Sequence, residues 1–271
     1  MNIYKKSSRI SQCSFEGGIR DIFEAALKLQ SEGKKVFHLE IGEPDFDSPI
    51  EARQACIKAI NSGRTHYTSM NGILELRKAI VDHEAKRGVF LDSENIVVTC
   101  GAEEALMALL LGLLDHGDEV ILLTPCYVAY KEQCFFAGVI PVEVPADLGE
   151  YYGLDIDRIS AAVTEKTKMI IINSPNNPSG CVVNKSDLEK LVEFIKGKDI
   201  WLLTDECYSA IIYEEKHVSP LKYPQISNQV LYVNSVSKTF AMTGWRIGYA
   251  SMPPQVVPYI AKSHLMLTSC A

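Results

Sequence analysis

The sequence predicts an α/β fold, a mostly parallel sheet with helices on both faces. From about residue 95 onward, short runs rich in Val, Ile and Leu alternate with segments of helical periodicity. In one such segment, Ser186–Lys196, apolar residues recur at the i, i+3, i+4, i+7 spacing of a single helix face. Regular alternation of this kind is typical of a parallel sheet, whose ligands bind beyond the carboxyl ends of the strands.

Seven strands are predicted along the chain. They are Ile96–Thr99, Glu119–Leu123, Val139–Val144, Lys168–Asn173, Ile200–Thr204, Val230–Asn234 and Ile247–Ser251. Ser186 followed by Glu189 predicts a capping box at the start of the helix Ser186–Lys196. A strongly apolar helix is predicted from about Ala102 to Leu114.

The first 45 residues have a different pattern. An arm leads to a predicted helix, Asp21–Glu32, and then to a short predicted strand, Val36–Glu40. The turn-rich segment Gly42-Glu43-Pro44-Asp45 follows. We expect this part to be a separate element that docks onto a main domain formed by residues 46–271.

Composition narrows the class of protein. A net charge of -7 over 271 residues argues against nucleic acid as a partner. The eight cysteines are scattered without a C-x-x-C pair, so we expect no metal site and a reduced, cytoplasmic setting. The N-terminus lacks the apolar stretch of a signal peptide. The most apolar run, Ala105–Leu114, is too short to span a bilayer, so no membrane partner is expected.

The most informative motif, SVSKTFAMTGWR, runs from Ser235 to Arg246 directly after a predicted strand. In it, Lys238 lies between hydroxyl-bearing residues and an apolar run. A buried amine next to a cation has a lowered pKa and is nucleophilic near neutral pH, whereas an isolated lysine after a strand is usually a solvated charge. Ser235, Ser237 and Arg246 could together hold a phosphate, the arginine through two parallel hydrogen bonds.

A second motif, Asp205-Glu-Cys-Tyr208, follows the predicted strand Ile200–Thr204. A carboxylate at the end of a central strand can pair with a protonated pyridine nitrogen, which allows the pyridine ring to accept electrons. Tyr208 could donate a hydrogen bond to a phenolate oxygen on the same ring. The plainer interpretation of Asp205 is a residue that caps a loop.

Three further loops also follow predicted strands. A rigid turn that could aim the amide of Asn177 at a ligand is predicted by NSPNNPSG. A tight turn at Gly101 would leave the N–H groups of Ala102 and Glu103 free to bind an anion, although a glycine turn without a ligand is an alternative. Tyr127 could stack on a flat ring or be a core tyrosine.

The combination of these five loops is more specific than any one of them. Together they supply an amine, a partner for a pyridine nitrogen, two donors to a phenolate oxygen, a stacking ring and a phosphate site. Pyridoxal 5'-phosphate requires all of these groups. We therefore expect pyridoxal 5'-phosphate as the cofactor.

At these residues the sequence closely resembles the fold-type I pyridoxal-phosphate enzymes, class I/II aminotransferases, in the branch of bacterial aspartate and aromatic aminotransferases. The resemblance extends from GEPDF, beginning at Gly42, to WRIG, beginning at Trp245. It implies a cofactor-binding large domain at 46–271 and, at 1–45, an N-terminal arm with part of the small domain. It also implies ping-pong transfer of an amino group between an L-amino acid and a 2-oxo acid, in a homodimer with a shared active site.

The resemblance implies a role for individual residues. Lys238 is similar to the Schiff-base lysine that also moves the proton, and Asp205 to the partner of the pyridine nitrogen. Tyr208 and Asn177 resemble the donors to the phenolate oxygen. The other matches are Tyr127 for the stacking aromatic, Cys207 for the opposite ring face, Ala102, Glu103, Ser235, Ser237 and Arg246 for the phosphate site, Tyr67 for the tyrosine that reaches the phosphate of the neighbouring subunit, and Gly42, with Asn177, for contact with the substrate.

One departure from the family pattern concerns the end of the sequence. Family members continue well beyond the position of Ala271, and their further part includes an arginine that clamps the substrate α-carboxylate. No residue of this sequence matches that arginine. We therefore expect that the end of the large domain and the rest of the small domain are absent. A carbon–sulfur lyase of the same fold and an inactive, truncated cofactor-binding fragment are the alternatives.

Overall fold

A seven-stranded sheet lies at the centre of the computed structural model, which describes residues 7–13, 18–148, 152–213 and 216–271. The strands of the described residues are β1 (Ile96–Thr99), β2 (Glu119–Thr124), β3 (Ile140–Pro145), β4 (Asp147–Leu148), β5 (Tyr152–Gly153), β6 (Thr167–Asn173), β7 (Trp201–Asp205), β8 (Val230–Ser235) and β9 (Gly248–Ser251). Strands β4 and β5 pair with each other, and the other seven form the central sheet. Each of the seven predicted strands is confirmed, with ends that agree to within one residue.

The order of strands across the central sheet is β1-β9-β8-β7-β6-β2-β3. Strand β9 is antiparallel to both of its neighbours, and the remaining neighbouring pairs are parallel. The carboxyl ends of β1, β2, β6, β7 and β8 therefore lie at one edge of the sheet. Strand β9 begins at that same edge. The predicted mostly parallel sheet is confirmed.

Helices pack on both faces of the central sheet. The α-helices of the described residues are α1 (Ser8–Gln12), α2 (Ile19–Ser31), α3 (Ile50–Asn61), α4 (Leu74–Ala85), α5 (Ala102–Leu113), α6 (Val128–Ala137), α7 (Ile156–Ala162), α8 (Lys185–Ile195), α9 (Val236–Thr239) and α10 (Val257–Leu267). None of them combines the length and the apolar character that crossing a bilayer would require.

The two faces of β6 show how the sheet divides the core. Met169 and Ile171 belong to the apolar cluster that includes α5, α6 and α10. Ile170 and Ile172 belong to the cluster that includes α7 and α8. This alternation follows from the two-residue period of a strand, and burial on both faces explains the continuous apolar run of β6 from Met169 to Ile172.

Helix α8 confirms the predicted amphipathic segment but not its predicted start. Its four predicted core residues are buried: Leu188, Leu191, Val192 and Ile195. The capping box at Ser186 is wrong, because the N-cap is Asn184, whose Oδ1 accepts a hydrogen bond from the N–H of Asp187 at 2.8 Å. An asparagine is at least as good an N-cap as a serine, and here it begins the helix one residue earlier.

The N-terminal part contains one wrong prediction. Helix α2 lies within two residues of the predicted helix, but the predicted strand Val36–Glu40 is irregular backbone. Phe37 and Leu39 are 75% and 92% exposed, and no strand of the described residues pairs with this segment. A strand without a ladder partner is not stable, whatever its side-chain pattern. Residues 1–6 and 14–17 of the predicted arm lie outside the described residues, and the division into domains at residue 45 stays a prediction.

We expect Gly248 to tolerate no side chain. A Cβ there would lie 2.4 Å from the main-chain N of Ala102 and 2.4 Å from the carbonyl carbon of Gly101, where α5 begins. Gly248→Ala should therefore lower the free energy of unfolding by about 1–3 kcal/mol, as overpacking usually does. Urea denaturation monitored by circular dichroism measures this change.

Gly244→Ala is the matched control for this prediction. Nothing lies within 4 Å of a Cβ at Gly244. Its substitution should change the free energy of unfolding by less than about 0.5 kcal/mol. Equal losses in the two variants would contradict the close approach of β9 to α5.

Candidate functional site

A cleft of about 1960 Å³ lies at the carboxyl ends of β1, β2, β6, β7 and β8. The cleft is lined by these predicted site residues: Gly42, Ala102, Glu103, Tyr127, Asn177, Asp205, Cys207, Tyr208, Ser235, Ser237, Lys238 and Arg246. Tyr67 does not line it; this tyrosine lies between α3 and α4 and is 91% exposed. The structure thus brings together all the predicted site residues but one, while their individual roles stay predictions.

Asp205 is a buried carboxylate at the end of β7. Its Oδ2 accepts a hydrogen bond from the Tyr130 hydroxyl at 2.7 Å, and its Oδ1 accepts one from the N–H of Cys207 at 3.0 Å. Burial raises the pKa of the Asp205 carboxyl above its ordinary value, and these two hydrogen bonds oppose that rise. A positively charged donor that entered the cleft would further favour the ionised form.

Asn177 and Tyr208 present two hydrogen-bond donors to the same cleft. The Nδ2 of Asn177 donates to the Tyr208 hydroxyl oxygen at 3.4 Å, and its N–H donates to Asn173 Oδ1 at 2.7 Å, which fixes the turn. Burial raises the pKa of Tyr208 to about 12, so its hydroxyl remains a donor at neutral pH. Burial also raises the pKa of the neighbouring Cys207 thiol, which therefore acts as a small apolar surface.

Lys238 lies in the short helix α9, directly after β8. Its Nζ donates to the carbonyl oxygen of Gly42 and lies 5.8 Å from the centroid of the Tyr208 ring. Burial lowers the pKa of the Lys238 amine, and the charge of Arg246 lowers it further, while the carboxylate of Glu43 acts in the opposite direction. An amine with a lowered pKa is a better nucleophile at neutral pH.

The guanidinium of Arg246 lies against the start of α5. A Cβ on Gly101 would come within 2.5 Å of Arg246 Nη2, and the φ of +82° at Gly101 is itself one that glycine favours. Gly101 is the N-cap of α5 and caps it with no side chain, so the first N–H groups of the helix retain donor capacity. A cation beside a helix N-terminus favours an anion. The buried Ser235 and Ser237 line the same cleft.

The loop over residues 238–246 is held by the segment that precedes α3. Trp245 Nε1 donates to Ser48 Oγ at 2.8 Å, and Ser48 Oγ donates to the carbonyl oxygen of Ala241 at 2.8 Å. Ala241 and Arg246 have positive φ values of 48° and 53°, which residues other than glycine rarely adopt. Such a backbone persists only where surrounding contacts fix it. Ser48, in the segment that precedes α3, therefore helps to position the loop that carries Lys238.

Tyr127, the N-cap of α6, is held by a carboxylate. Its hydroxyl donates to Glu103 Oε1 at 2.6 Å, and Gln133 Nε2 donates to Glu103 Oε2 at 2.6 Å. The Tyr127 ring also meets the Tyr130 ring edge to face, with centroids 5.6 Å apart and planes at 88°. The side chain of Glu103 is thus occupied. Its main-chain N–H lies in the first turn of α5, where it has no acceptor within the helix, and can make the predicted anion contact.

The sequence-based predictions assigned no role to Tyr130. It is 2% exposed and its hydroxyl contacts Asp205 directly. The available signal was its position three residues after Tyr127, in the first turn of the same helix. Helical neighbours at this spacing lie on one face, so both tyrosines could have been expected near the cleft.

A buried ion-pair network next to Asp205 was also missed. Glu206 Oε2 lies 2.7 Å from His217 Nε2 and 3.9 Å from Arg87 Nη2. Arg87 Nη1 in turn lies 2.8 Å from Glu84 Oε2, and the side chains of both glutamates are fully buried. The network connects the end of α4 to the loop after β7. Its two halves, Glu84 with Arg87 and Glu206 with His217, are more than 100 residues apart in the sequence and carry no common motif.

The chain is similar to known proteins over nearly its whole length. A family model described as "Aminotransferase class I and II" matches residues 34–270. A probable aspartate/prephenate aminotransferase from Aquifex aeolicus is 41% identical over 239 residues, which cover 87% of this chain and 61% of that protein. An arginine–pyruvate transaminase from Pseudomonas aeruginosa is 35% identical over 241 residues, which cover 89% of this chain and 61% of that protein.

The fold is also similar to that of a solved structure. Aspartate aminotransferase from Thermus thermophilus with maleate superposes with a TM-score of 0.92 at 37% sequence identity. The match covers 98% of this chain and 69% of that one. The chain thus spans 61% of the length of the two curated relatives.

The charges around Lys238 predict that two substitutions shift the pKa of its amine in opposite directions. Arg246→Gln should raise the pKa of the Lys238 amine, because it removes a like charge that disfavours protonation. Glu43→Gln should lower that pKa, because it removes an opposite charge that favours protonation. The pH dependence of reductive methylation at Lys238, followed by mass spectrometry of the peptide, measures both changes. Shifts in the same direction would contradict the electrostatic arrangement described above.

Proposed function

The chain belongs to the aminotransferase class I and II family, and on this premise we propose that it transfers an amino group between an L-amino acid and a 2-oxo acid with pyridoxal 5'-phosphate, by a ping-pong mechanism. One observation carries the proposal. An amine of lowered pKa, Lys238, and a buried carboxylate, Asp205, line the same cleft. The two curated relatives are transaminases by name.

The groups of the cleft fit pyridoxal phosphate chemically. The absence of a Cβ at Gly101 lets the Arg246 guanidinium lie against the start of α5, an arrangement that suits a phosphate. The buried Asp205 suits a protonated pyridine nitrogen, because it lies desolvated with two fixed donors and has acceptor capacity left. The amine of Lys238 suits an aldehyde, with which a nucleophilic lysine bonds covalently.

When bound, pyridoxal phosphate supplies an electron sink for the charge left after an α-proton is removed. Lys238 would hold the cofactor through its amine and, when free, would take the α-proton from the amino acid and return it in the transfer. Asp205 would accept a hydrogen bond from the pyridine N–H and keep that nitrogen protonated. Tyr208 and Asn177 would donate hydrogen bonds to the ring oxygen.

The remaining predicted residues would bind and orient the cofactor and the substrate. Tyr127 would stack on one face of the ring and Cys207 would cover the other. Arg246 would bind the phosphate through charge-assisted hydrogen bonds. The other phosphate contacts would come from Ser235, Ser237 and the N–H groups of Ala102 and Glu103, while Gly42 and Asn177 would contact the substrate.

The proposal includes a homodimer with a shared site, in the cytoplasm. None of the residues of α3 is buried within the single chain, and Ile57 and Ile60 are 59% and 57% exposed. An exposed apolar helix face of this kind supports contact with a second copy. Tyr67, close to α3 in the sequence, would then reach the phosphate site of the neighbouring subunit. The cysteine usage supports the reduced, cytoplasmic location.

Borohydride reduction tests the role of Lys238. The chain incubated with pyridoxal phosphate should gain an absorbance band in the visible or near-ultraviolet region, and borohydride should fix the cofactor on the peptide that contains Lys238. Lys238→Ala should lose the fixed adduct completely, because its side chain has no amine. Lys262→Ala, which removes an exposed lysine of α10, is the control and should retain the adduct. An adduct that persists at full yield in Lys238→Ala would contradict the assignment of Lys238 as the lysine that bonds the cofactor.

The reaction type is tested by the response of that band to substrates. An amino donor should bleach the band as the first half-reaction proceeds, and a 2-oxo acid should restore it together with the new amino acid. A ping-pong transferase requires both responses. If cystathionine instead yields pyruvate and ammonia, while glutamate and a 2-oxo acid exchange nothing, the protein is a carbon–sulfur lyase and the proposal is wrong.

A further inference from the structure

The hydroxyl of Tyr130 is a donor that the proposed function does not use. It donates to Asp205 Oδ2 at 2.7 Å, from the first turn of α6 to the end of β7. Tyr130 is 2% exposed, and Asp205 is 6% exposed. The other oxygen, Oδ1, accepts from the N–H of Cys207 at 3.0 Å. Each oxygen of this carboxylate therefore has at least one donor supplied by the protein.

Two fixed donors define the orientation of the carboxylate. An ionised carboxylate has about four acceptor positions over its two oxygens. With at least one position on each oxygen occupied, the group is held against rotation and still has acceptor positions for a donor from the cleft. Hydrogen bonds to the charged form also favour that form, which opposes the effect of burial.

The Tyr130 hydroxyl remains protonated and therefore remains a hydrogen-bond donor. Burial raises the pKa of its hydroxyl well above the ordinary value, and the adjacent charge of Asp205 raises it further, so the proton stays on the tyrosine. Its ring is also fixed, since it meets the ring of Tyr127 edge to face at 5.6 Å. The Tyr127 hydroxyl in turn donates a hydrogen bond to Glu103 of α5. The first turn of α6 thus connects Asp205 at the end of β7 with Glu103 in the first turn of α5.

We propose that Tyr130 is a positioning residue, which orients the Asp205 carboxylate and keeps it ionised towards a protonated ring nitrogen of the cofactor. The inference rests on the proposed function, since it assigns Tyr130 a role in the same site. Tyr130 itself acts through Asp205. Without its hydroxyl, the Asp205 carboxylate would be a stronger base and would draw the proton away from the ring nitrogen.

Tyr130→Phe tests the proposal, because it removes only the hydroxyl and keeps the ring that packs in the core. We expect pyridoxal phosphate to bind about tenfold more weakly, which corresponds to about 1.4 kcal/mol. We also expect the pH midpoint of the cofactor band to move upward by about one unit, because loss of positive charge on the ring favours protonation at the nitrogen of Lys238. Absorbance titrations with cofactor and with pH measure the two effects.

Tyr249→Phe is the matched control. Tyr249 is 3% exposed and its hydroxyl donates to another buried carboxylate, Glu84, at 2.6 Å. This variant also loses a buried hydrogen bond from a tyrosine hydroxyl to a carboxylate, so its stability should fall similarly. Its band midpoint should stay at the wild-type value. If Tyr130→Phe and Tyr249→Phe have the same midpoint, Tyr130 has only a structural role and the inference is overturned.

A second replacement at Tyr130 distinguishes the effect of the hydroxyl from the effect of ring packing. It also tests the inference if Tyr130→Phe does not fold. With 3-fluorotyrosine in place of Tyr130, the donor is retained and is more acidic, so the band midpoint should lie at or below that of the wild type. A midpoint raised by about one unit with this replacement would overturn the inference. A wild-type chain that forms no band with pyridoxal phosphate would overturn the proposed function as well, whereas a normal band with an unshifted Tyr130→Phe overturns only the role of Tyr130.

Discussion

The parallel pairing of β2, β6, β7 and β8 is the constraint on which the cleft depends. Parallel strands end at the same edge of a sheet, so the loops that follow them meet although they are far apart in the sequence. Antiparallel β9 completes this edge, because it enters the sheet there between β1 and β8 and brings Arg246 to the start of α5. At the first residue of β9, Gly248 pairs with Thr99 on one side and Ser235 on the other. The absence of its side chain allows the two loops to approach each other.

The cleft contains an amine and a carboxylate whose charged forms are both disfavoured by burial. In Asp205 burial raises the pKa, and in Lys238 it lowers the pKa. Burial of such groups costs free energy unless partners are supplied. The protein supplies part of them, namely Tyr130 and the Cys207 N–H for the carboxylate and the Gly42 carbonyl for the amine. A ligand that brings the remaining partners gains that free energy on binding, which is why a desolvated site can be selective for one arrangement of groups.

Local patterns predicted the sheet well because all of its strands except the partly exposed edge strand β3 are mostly buried on both faces and are therefore largely apolar runs. The same reasoning failed at Val36–Glu40, where the pattern resembles a strand but no other strand lies beside it. It also misplaced the start of α8, because both Asn184 and Ser186 can cap a helix. Which of the two is the N-cap depends on which backbone N–H its side chain reaches. Asn184 reaches Asp187, and this contact sets the boundary.

By itself, the sequence determined which residue types follow each strand and hence which chemical groups meet at the edge of the sheet. Lys238, Asp205, Asn177 and Tyr127 were found in this way, since their positions relative to the strands are local properties of the chain. Only the tertiary structure decided how these groups contact one another. Tyr130 and Asp205 are 75 residues apart, and Tyr127 and Glu103 are 24 apart. Hydrogen bonds between residues so far apart in the sequence require the packed elements to be placed to within a few tenths of an ångström. The spacing of residues along the chain does not encode that placement.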